Sequence, residues 1–314
     1  MRGTFRISRG ARTETPTIGA EIEEAGKVGK AECVPYPHYG ESKDSVMAEI
    51  ETVRSGIESG MSRAELQEAL PAGAARNALD CALWDLEAKL SGKRAWELAG
   101  IVPPLPVVSA MTLSLDSPEN MAEAARASAH LPLLKLKVIG GGDLERVTAV
   151  RSGAPKSRLI VDANEGWQPE MLDNLLPALA ELGVEMVEQP LPAACDEALL
   201  GREFAIPVCA DESCHTRADL DRLQGRYPMI NVKLDKSGGL SEALALVREA
   251  RARGFRVMVG CMVGSSLSMA PAVLLTPFAE YVDLDGPLLL ARDCQPGLRY
   301  DGVTVHPPES SLWG

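Results

Sequence analysis

Eight ionisable residues close short apolar runs in the middle and C-terminal part of the chain. They are Lys135 and Lys137 in Leu133-Leu-Lys-Leu-Lys-Val138, Asp162 after Leu159-Ile-Val, Glu188 after Met186-Val, Asp211 after Val208-Cys-Ala, Lys233 after Ile230-Asn-Val, and Asp283 and Asp285 in Tyr281-Val-Asp-Leu-Asp285. A buried parallel strand reads as a continuous hydrophobic run, so a charge at its end must serve a shared site or stand unpaired. Side chains alternate along a strand, which puts Lys135 and Lys137 on one face and Leu134, Leu136 and Val138 on the other. Three carboxylates brought together raise one another's pKa unless a cation joins them, and an all-oxygen set with no histidine or cysteine in line suits Mg²⁺. Two lysines facing each other across such a site suit a 1,1-proton transfer, in which one removes a proton from carbon and the other returns one to the opposite face.

The elements that would position these residues follow from the pattern around them. From Pro106 onward strands and amphipathic stretches alternate at a steady pitch, with strands expected at 107–112, 133–138, 159–162, 184–188, 208–211, 229–233, 256–261 and 281–285. Eight strands alternating with helices predict a closed (β/α)8 TIM-type barrel of class α/β, spanning 101–290. No GxGxxG joins a strand to a helix, which argues against a dinucleotide fold. Residues 1–100 read differently. Strand material up to about residue 34 is followed by a Pro- and Gly-rich loop at 35–40 and by helices expected at 42–56, 62–69 and 74–90, with Ser62 and Glu65 placed as a capping box. This is an α+β capping domain, and the tail 291–314 is expected to return to it.

Barrel geometry then orders the charges. Strand ends at the C-terminal face share one mouth. Asp162, Glu188 and Asp211 end the third, fourth and fifth strands and lie side by side as the expected metal ligands. Lys137 and Lys233 end the second and sixth strands, on opposite sides. Lys135 and the cation are expected to lower the pKa of Lys137 so that it can act as a base, while Asp235, two residues from Lys233, would oppose such a shift there. Asp283 and Asp285 end the eighth strand, opposite the fourth, where two acids suit an ammonium group. A substrate with a carboxylate at the metal and an ammonium at the far end has the span of a dipeptide, roughly 7 Å when extended.

Composition excludes other classes. Lys and Arg number 32 against 44 Asp and Glu, a net charge of −12, with no basic stripe for a nucleic acid. No unbroken apolar run is long enough for a membrane span and the start has no signal-peptide core, so a cytoplasmic protein is expected. The seven cysteines lack any CxxC pair and read as reduced core thiols, and the four histidines follow no ligand spacing.

The quoted strand ends, together with Ala78-Leu-Asp-Cys-Ala-Leu-Trp-Asp-Leu-Glu87, Asp162-Ala-Asn164, Glu188-Gln-Pro190, Ala210-Asp-Glu-Ser213 and Lys233-Leu-Asp-Lys236, carry a resemblance along nearly the whole chain. The sequence resembles the enolase superfamily, muconate lactonizing subgroup, most closely its bacterial dipeptide epimerase branch of L-Ala-D/L-Glu type. The resemblance implies one Mg²⁺ on Asp162, Glu188 and Asp211, Lys137 and Lys233 as the acid/base pair through an enediolate, and Lys135 on the substrate carboxylate. It further implies Asp283 and Asp285 on the dipeptide ammonium, Arg12 of Ser8-Arg-Gly-Ala-Arg12 on a glutamate side chain, Thr112 and Cys261 in the pocket wall, and a homo-oligomer. One departure stands out: the family's additional cap segment before this arginine has no counterpart here, which leaves the first cap strand short or supplied by the tail. A cycloisomerase or an o-succinylbenzoate synthase would share the metal and both lysines but has no use for the two strand-eight acids. A Schiff-base aldolase needs one lysine and no carboxylate trio, and a non-catalytic barrel should have lost at least one of these residues.

Overall fold

The structure, a computed structural model, describes residue 1 and residues 3–314. The chain opens with a short hairpin, β1 (Phe5–Ile7) and β2 (Gly10–Arg12), then a longer one, β3 (Ile18–Glu24) and β4 (Lys27–Cys33), in which Ile18 pairs with Cys33. Three helices follow, α1 (Lys43–Glu58), α2 (Arg63–Ala69) and α3 (Ala74–Ser91). Ser62 and Glu65 form the expected reciprocal cap of α2, and Ser42 caps α1 with Ser45. A single turn, α4 (Ala95–Leu98), leads to the barrel.

The expected first barrel strand is two strands. β5 (Val107–Val108) leaves the barrel to pair with the tail, and β6 (Met111–Leu113) starts the barrel sheet. The sheet continues through β7 (Leu133–Lys137), β8 (Arg158–Asp162), β9 (Val184–Glu188), β10 (Val208–Ala210), β11 (Met229–Val232), β12 (Arg256–Val259) and β13 (Tyr281–Val282), every neighbouring pair parallel. It curls until its two edges meet: Ala110 N–H donates to Val282 O at 2.7 Å, and Leu284 N–H to the Ser109 hydroxyl at 2.8 Å. Helices α5 (Pro118–Ala127), α6 (Asp143–Gly153) and α7 (Leu172–Glu181) cover the early strands. The short α8 (Leu220–Leu223) and α9 (Leu234–Ser237) and the longer α10 (Leu240–Ala252) follow later.

Two-residue alternation sorts the strand residues into two sets. Outward residues such as Leu134, Leu136, Val161, Val187 and Ile230 join the main core under the helices. Inward residues Ala110, Leu133, Ile160, Met186, Cys209, Met229, Met258 and Tyr281 close into an apolar floor. One step further along the same strands, the inward positions are Thr112, Lys135, Asp162, Glu188, Asp211, Asn231 and Asp283. Hydrophobic closure below therefore sets the polar ring above it.

The cap is fastened to the barrel through α3, which explains its long motif. Asn77 and the Val34 N–H both donate to Asp235 Oδ1, at 2.8 and 3.0 Å. Arg76 donates to the carbonyls of Ser237 and Gly238, Asp80 accepts the Ser241 N–H at 2.9 Å, and the Trp84 indole donates to the Ser241 hydroxyl at 3.0 Å. A β-carbon at Gly239 would lie 2.5 Å from Asp80 Oδ2, so this junction needs a glycine. The cap is thus held by the turn that follows Lys233.

The tail does return to this helix. β14 (Tyr300–Asp301) and β15 (Thr304–Val305) form a hairpin, and β15 pairs antiparallel with β5. Trp313 is fully buried and donates its indole N–H to Cys81 O at 3.1 Å, and the Gly314 N–H reaches Asp85 Oδ1 at 2.7 Å. The tail does not stand in for a cap strand, because β3 pairs with β4 alone. Trp313→Ala should lower unfolding free energy by about 3–5 kcal/mol through the cavity it leaves, read from urea titrations. A loss under about 1 kcal/mol would show that the tail contributes little to holding α3.

Candidate active site

A cavity of about 410 Å³ opens at the C-terminal face of the barrel beneath the β1–β2 hairpin and the 35–40 loop. Its walls include Thr112, Lys135, Lys137, Asp211, Lys233, Cys261, Asp283 and Asp285, and its roof includes Arg12, Tyr36 and Tyr39. All of the site residues expected from sequence, except Asp162 and Glu188, line this one cavity. Those two are fully buried behind the lysines.

The mouth is an interleaved set of ammonium and carboxylate groups. Lys135 Nζ stands 2.7 Å from Glu188, 2.7 Å from Asp283 and 3.1 Å from Asp162. Lys137 donates to Asp162 Oδ2 and Lys233 to Asp211 Oδ2, each at 2.6 Å. Both lysines are buried, on strands four places apart in the ring, as expected. The hydrogen-bonded ladder stops at Ala210, Val232 and Val282, so Asp211, Lys233, Asp283 and Asp285 sit just past their strand ends. There the backbone no longer needs a neighbour, and irregular turns can aim side chains inward.

These contacts set the protonation states. Burial pulls Lys135 and Lys233 down, but their carboxylate partners, Asp283 and Glu188 for the first and Asp211 for the second, outweigh it and hold both above the usual lysine value. Lys135 does pull Lys233 down, but Asp211 and Glu188 outweigh it. Asp235 faces the cap, where burial raises its carboxyl to about 7, and does not touch Lys233. Burial likewise favours the acid form of Asp162 and Asp211, and their lysines overcome it and hold both low. Glu188 is pushed up to about 7, first by burial and then by Asp162.

The strand-eight acids are not the isolated pair that the sequence suggests. Lys135 ties Asp283 to Glu188, while Asp285 accepts the Thr112 N–H at 2.7 Å and is raised to about 7 by burial and by Asp283. Arg12 is exposed, belongs to the cavity roof and holds its guanidinium over the Tyr36 ring, 5.1 Å from the centroid. Cys261 lines the wall, and burial pushes its thiol well above the usual range.

The donor chemistry fits a hard cation. Glu188 Oε2 and Asp211 Oδ1 are buried and receive no directed hydrogen bond, although each has an ammonium 2.7 Å away, from Lys135 and Lys236 respectively. Among the described residues no three acidic groups converge on one point, because lysines stand between them. Asp162, Glu188 and Asp211 supply only oxygen, the donor preferred by Mg²⁺.

Several residues here escaped the sequence reading. Asn231 donates to Glu188 Oε1 at 2.8 Å, and period-two counting back from Lys233 would have found it. Lys236, fully buried, donates to the carbonyls of Asp211, Cys214 and Asn231 while pairing with Asp211. Gln189, in a left-handed backbone conformation (φ 35°), accepts the N–H groups of Asp211 and Ser213. Arg9 reaches the turns after β8 and β10. Only tertiary geometry shows the last three roles.

This constellation on a capped barrel defines an enolase-type enzyme. The family models for "Mandelate racemase / muconate lactonizing enzyme, N-terminal domain" and "Enolase C-terminal domain-like" match residues 1–100 and 119–311. The chain belongs to the mandelate racemase/muconate lactonizing enzyme family of the enolase superfamily, and it is an isomerase. It is 49% identical over 304 residues to an L-Ala-D/L-Glu epimerase of Escherichia coli (strain K12), covering 96% of this chain and 95% of that one. It is 47% identical over 288 residues to an N-acetyl-D-glutamate racemase of Pseudoalteromonas sp, covering 91% of each. A crystal structure of an enolase family member from Agrobacterium tumefaciens with homology to dipeptide epimerases, with bound sodium and L-Ala-L-Glu, superposes with a TM-score of 0.97. That chain is 50% identical, and the match covers 99% of this chain and 96% of that one.

Calorimetric titration of Mg²⁺ into the protein should show binding, and Asp211→Asn should weaken it by about 10-fold or more. Equal affinity in both would remove Asp211 from the metal site.

Proposed function

We propose that the protein is a dipeptide epimerase that inverts the α-carbon of the C-terminal residue, with L-Ala-D/L-Glu type peptides as its substrates. The observation that carries this reading is the pair of buried ammonium groups, Lys137 and Lys233, on opposite sides of a mouth whose far wall holds Asp283 and Asp285. A reacting carbon between the two lysines has one on each face, the arrangement that inversion by proton removal and return requires.

Asp162, Glu188 and Asp211 would hold one Mg²⁺. When bound, the cation supplies a fixed positive charge for the substrate carboxylate, whose oxygens gain negative charge as the α-proton leaves. Lys135, pinned among three carboxylates, is held as an ammonium and offers hydrogen bonds to the same carboxylate. Lys137 and Lys233 must leave their carboxylate partners to reach the substrate, each as base for one epimer and acid for the other. Asp283 and Asp285 would take the dipeptide ammonium, while Thr112 and Cys261 form the wall around the first residue.

The side-chain carboxylate of a glutamate in the second position calls for a cation in the roof. Arg12 provides one, lying against Tyr36 with a guanidinium suited to bidentate pairing. N-acetyl-glutamate, the substrate type in the name of the Pseudoalteromonas relative, has no ammonium for Asp283 and Asp285. The two acids favour the dipeptide.

Inversion at the α-carbon across a panel containing L-Ala-L-Glu, L-Ala-L-Leu and N-acetyl-L-glutamate tests the assignment. L-Ala-L-Glu should be preferred, and Arg12→Ala should lower its kcat/KM by about 10- to 100-fold, equivalent to roughly 1.5–3 kcal/mol, while sparing L-Ala-L-Leu. Preference for N-acetyl-glutamate, or equal losses on both dipeptides, would overturn the specificity.

A further inference from the structure

Arg9 belongs to the roof but does a different job from Arg12. Its Nη1 lies 2.7 Å from Glu212 Oε1 and 3.2 Å from Glu165 Oε2 and donates to Asn164 O at 3.1 Å, while Nη2 donates to the Tyr36 hydroxyl at 3.1 Å. Ser8 adds a hydrogen bond from its hydroxyl to the same Asn164 O, at 2.9 Å. Three acceptors already crowd Nη1 and the Tyr36 hydroxyl takes Nη2, so this guanidinium is committed to the protein.

The places it touches matter. Asn164 and Glu165 follow Asp162 by two and three residues, and both hold left-handed backbone conformations, with φ of 43° and 67°. Glu212 directly follows Asp211, and its side chain is 2% exposed. One guanidinium therefore spans the turns after β8 and β10, on either side of the strand that ends in Glu188.

The hairpin has little else to hold it. Each of its strands has three residues, the second is exposed throughout, and a lone two-stranded hairpin is marginal in water. Among the described residues its other polar ties to the barrel are the Leu115 N–H to Arg6 O bond at 3.1 Å, a long bond from Arg6 N–H to Ser114, and an exposed Arg6–Asp116 pair at 3.4 Å, contacts that contribute little. Opening the hairpin would strip the Glu212 carboxylate of the guanidinium 2.7 Å away, and that opposes opening.

We propose that Arg9 is a positioning residue that latches the β1–β2 hairpin onto the two turns carrying Asp162 and Asp211, closing the cavity over a dipeptide whatever its second side chain. The role of that cavity rests on the function proposed above; the latch itself does not. Arg12 reads the substrate and Arg9 holds the roof from which it reads.

Hydrogen–deuterium exchange of the substrate-free protein, paired with steady-state kinetics, tests the latch in Arg9→Met, Arg9→Lys and Glu212→Gln. Arg9→Met should quicken amide exchange across residues 5–12 by about 10-fold or more, leaving the β-barrel amides protected. KM should rise by about 10- to 100-fold for every dipeptide the wild type accepts, most for glutamate-containing ones because Arg12 moves with the hairpin, with kcat changed far less. Arg9→Lys should recover part of both effects and Glu212→Gln should reproduce part of them. Unchanged hairpin exchange, or a KM increase confined to glutamate-containing peptides, overturns the proposal. If Arg9→Met does not fold, the Arg9→Lys and Glu212→Gln comparison decides alone. A wild type that turns over no dipeptide would refute the substrate assignment, while hairpin exchange would still decide the latch.

Discussion

Burial of charge at the barrel mouth is the constraint on which the site depends. Lys135 is 1% exposed and Asp162 and Glu188 are fully buried, far from the water that would otherwise stabilise them. Such groups persist only when each has an opposite charge within contact distance, and removing one partner of a buried pair typically costs about 3–5 kcal/mol. The ring solves this by alternation. Lys135 sits among Asp162, Glu188 and Asp283, Lys137 rests on Asp162, and Lys233 and Lys236 share Asp211. Opposite charges are thus stored against one another, and the proposed cation and anionic substrate would draw them apart by offering the same charges.

That arrangement needs a rigid frame, and the frame explains the distant parts of the sequence. The apolar floor from Ala110 to Tyr281 fixes the height of the ring, since five of the eight strands follow a floor residue with a charge, at Lys135, Asp162, Glu188, Asp211 and Asp283. The turn after Lys233 is gripped by α3 through Arg76, Asn77 and Asp80, and α3 is in turn covered by Trp313. Roof and ring are therefore parts of one connected body. A roof residue such as Arg12 can be placed against substrate from a hairpin with almost no core of its own.

Much of this was legible in the sequence, for a simple reason. A period of two is short enough that Lys135 and Lys137, or Asp283 and Asp285, announce their common face without any structure, and eight spaced apolar runs fix the ring order. What stayed hidden depends on turns and on pairing across the chain. Whether Asp283 is free or tied to Lys135 cannot be read from spacing, nor can the direction of Asp235 toward the cap. The break between β5 and β6 was missed because Val107 to Thr112 reads as one strand until the tail competes for its first half. Arg9 and Arg12 lie three residues apart in one motif, and only their partners separate the proposed latch from the proposed reader.

The central claim is that Lys137 and Lys233 work on opposite faces of one carbon. Solvent deuterium exchange at the α-carbon of each epimer of Ala-Glu, followed in Lys137→Ala and Lys233→Ala, tests it most directly. Each variant should lose epimerisation, and any exchange that survives should be of one epimer's proton, the other epimer in the other variant. Exchange of both epimers by both variants would contradict the two-base account.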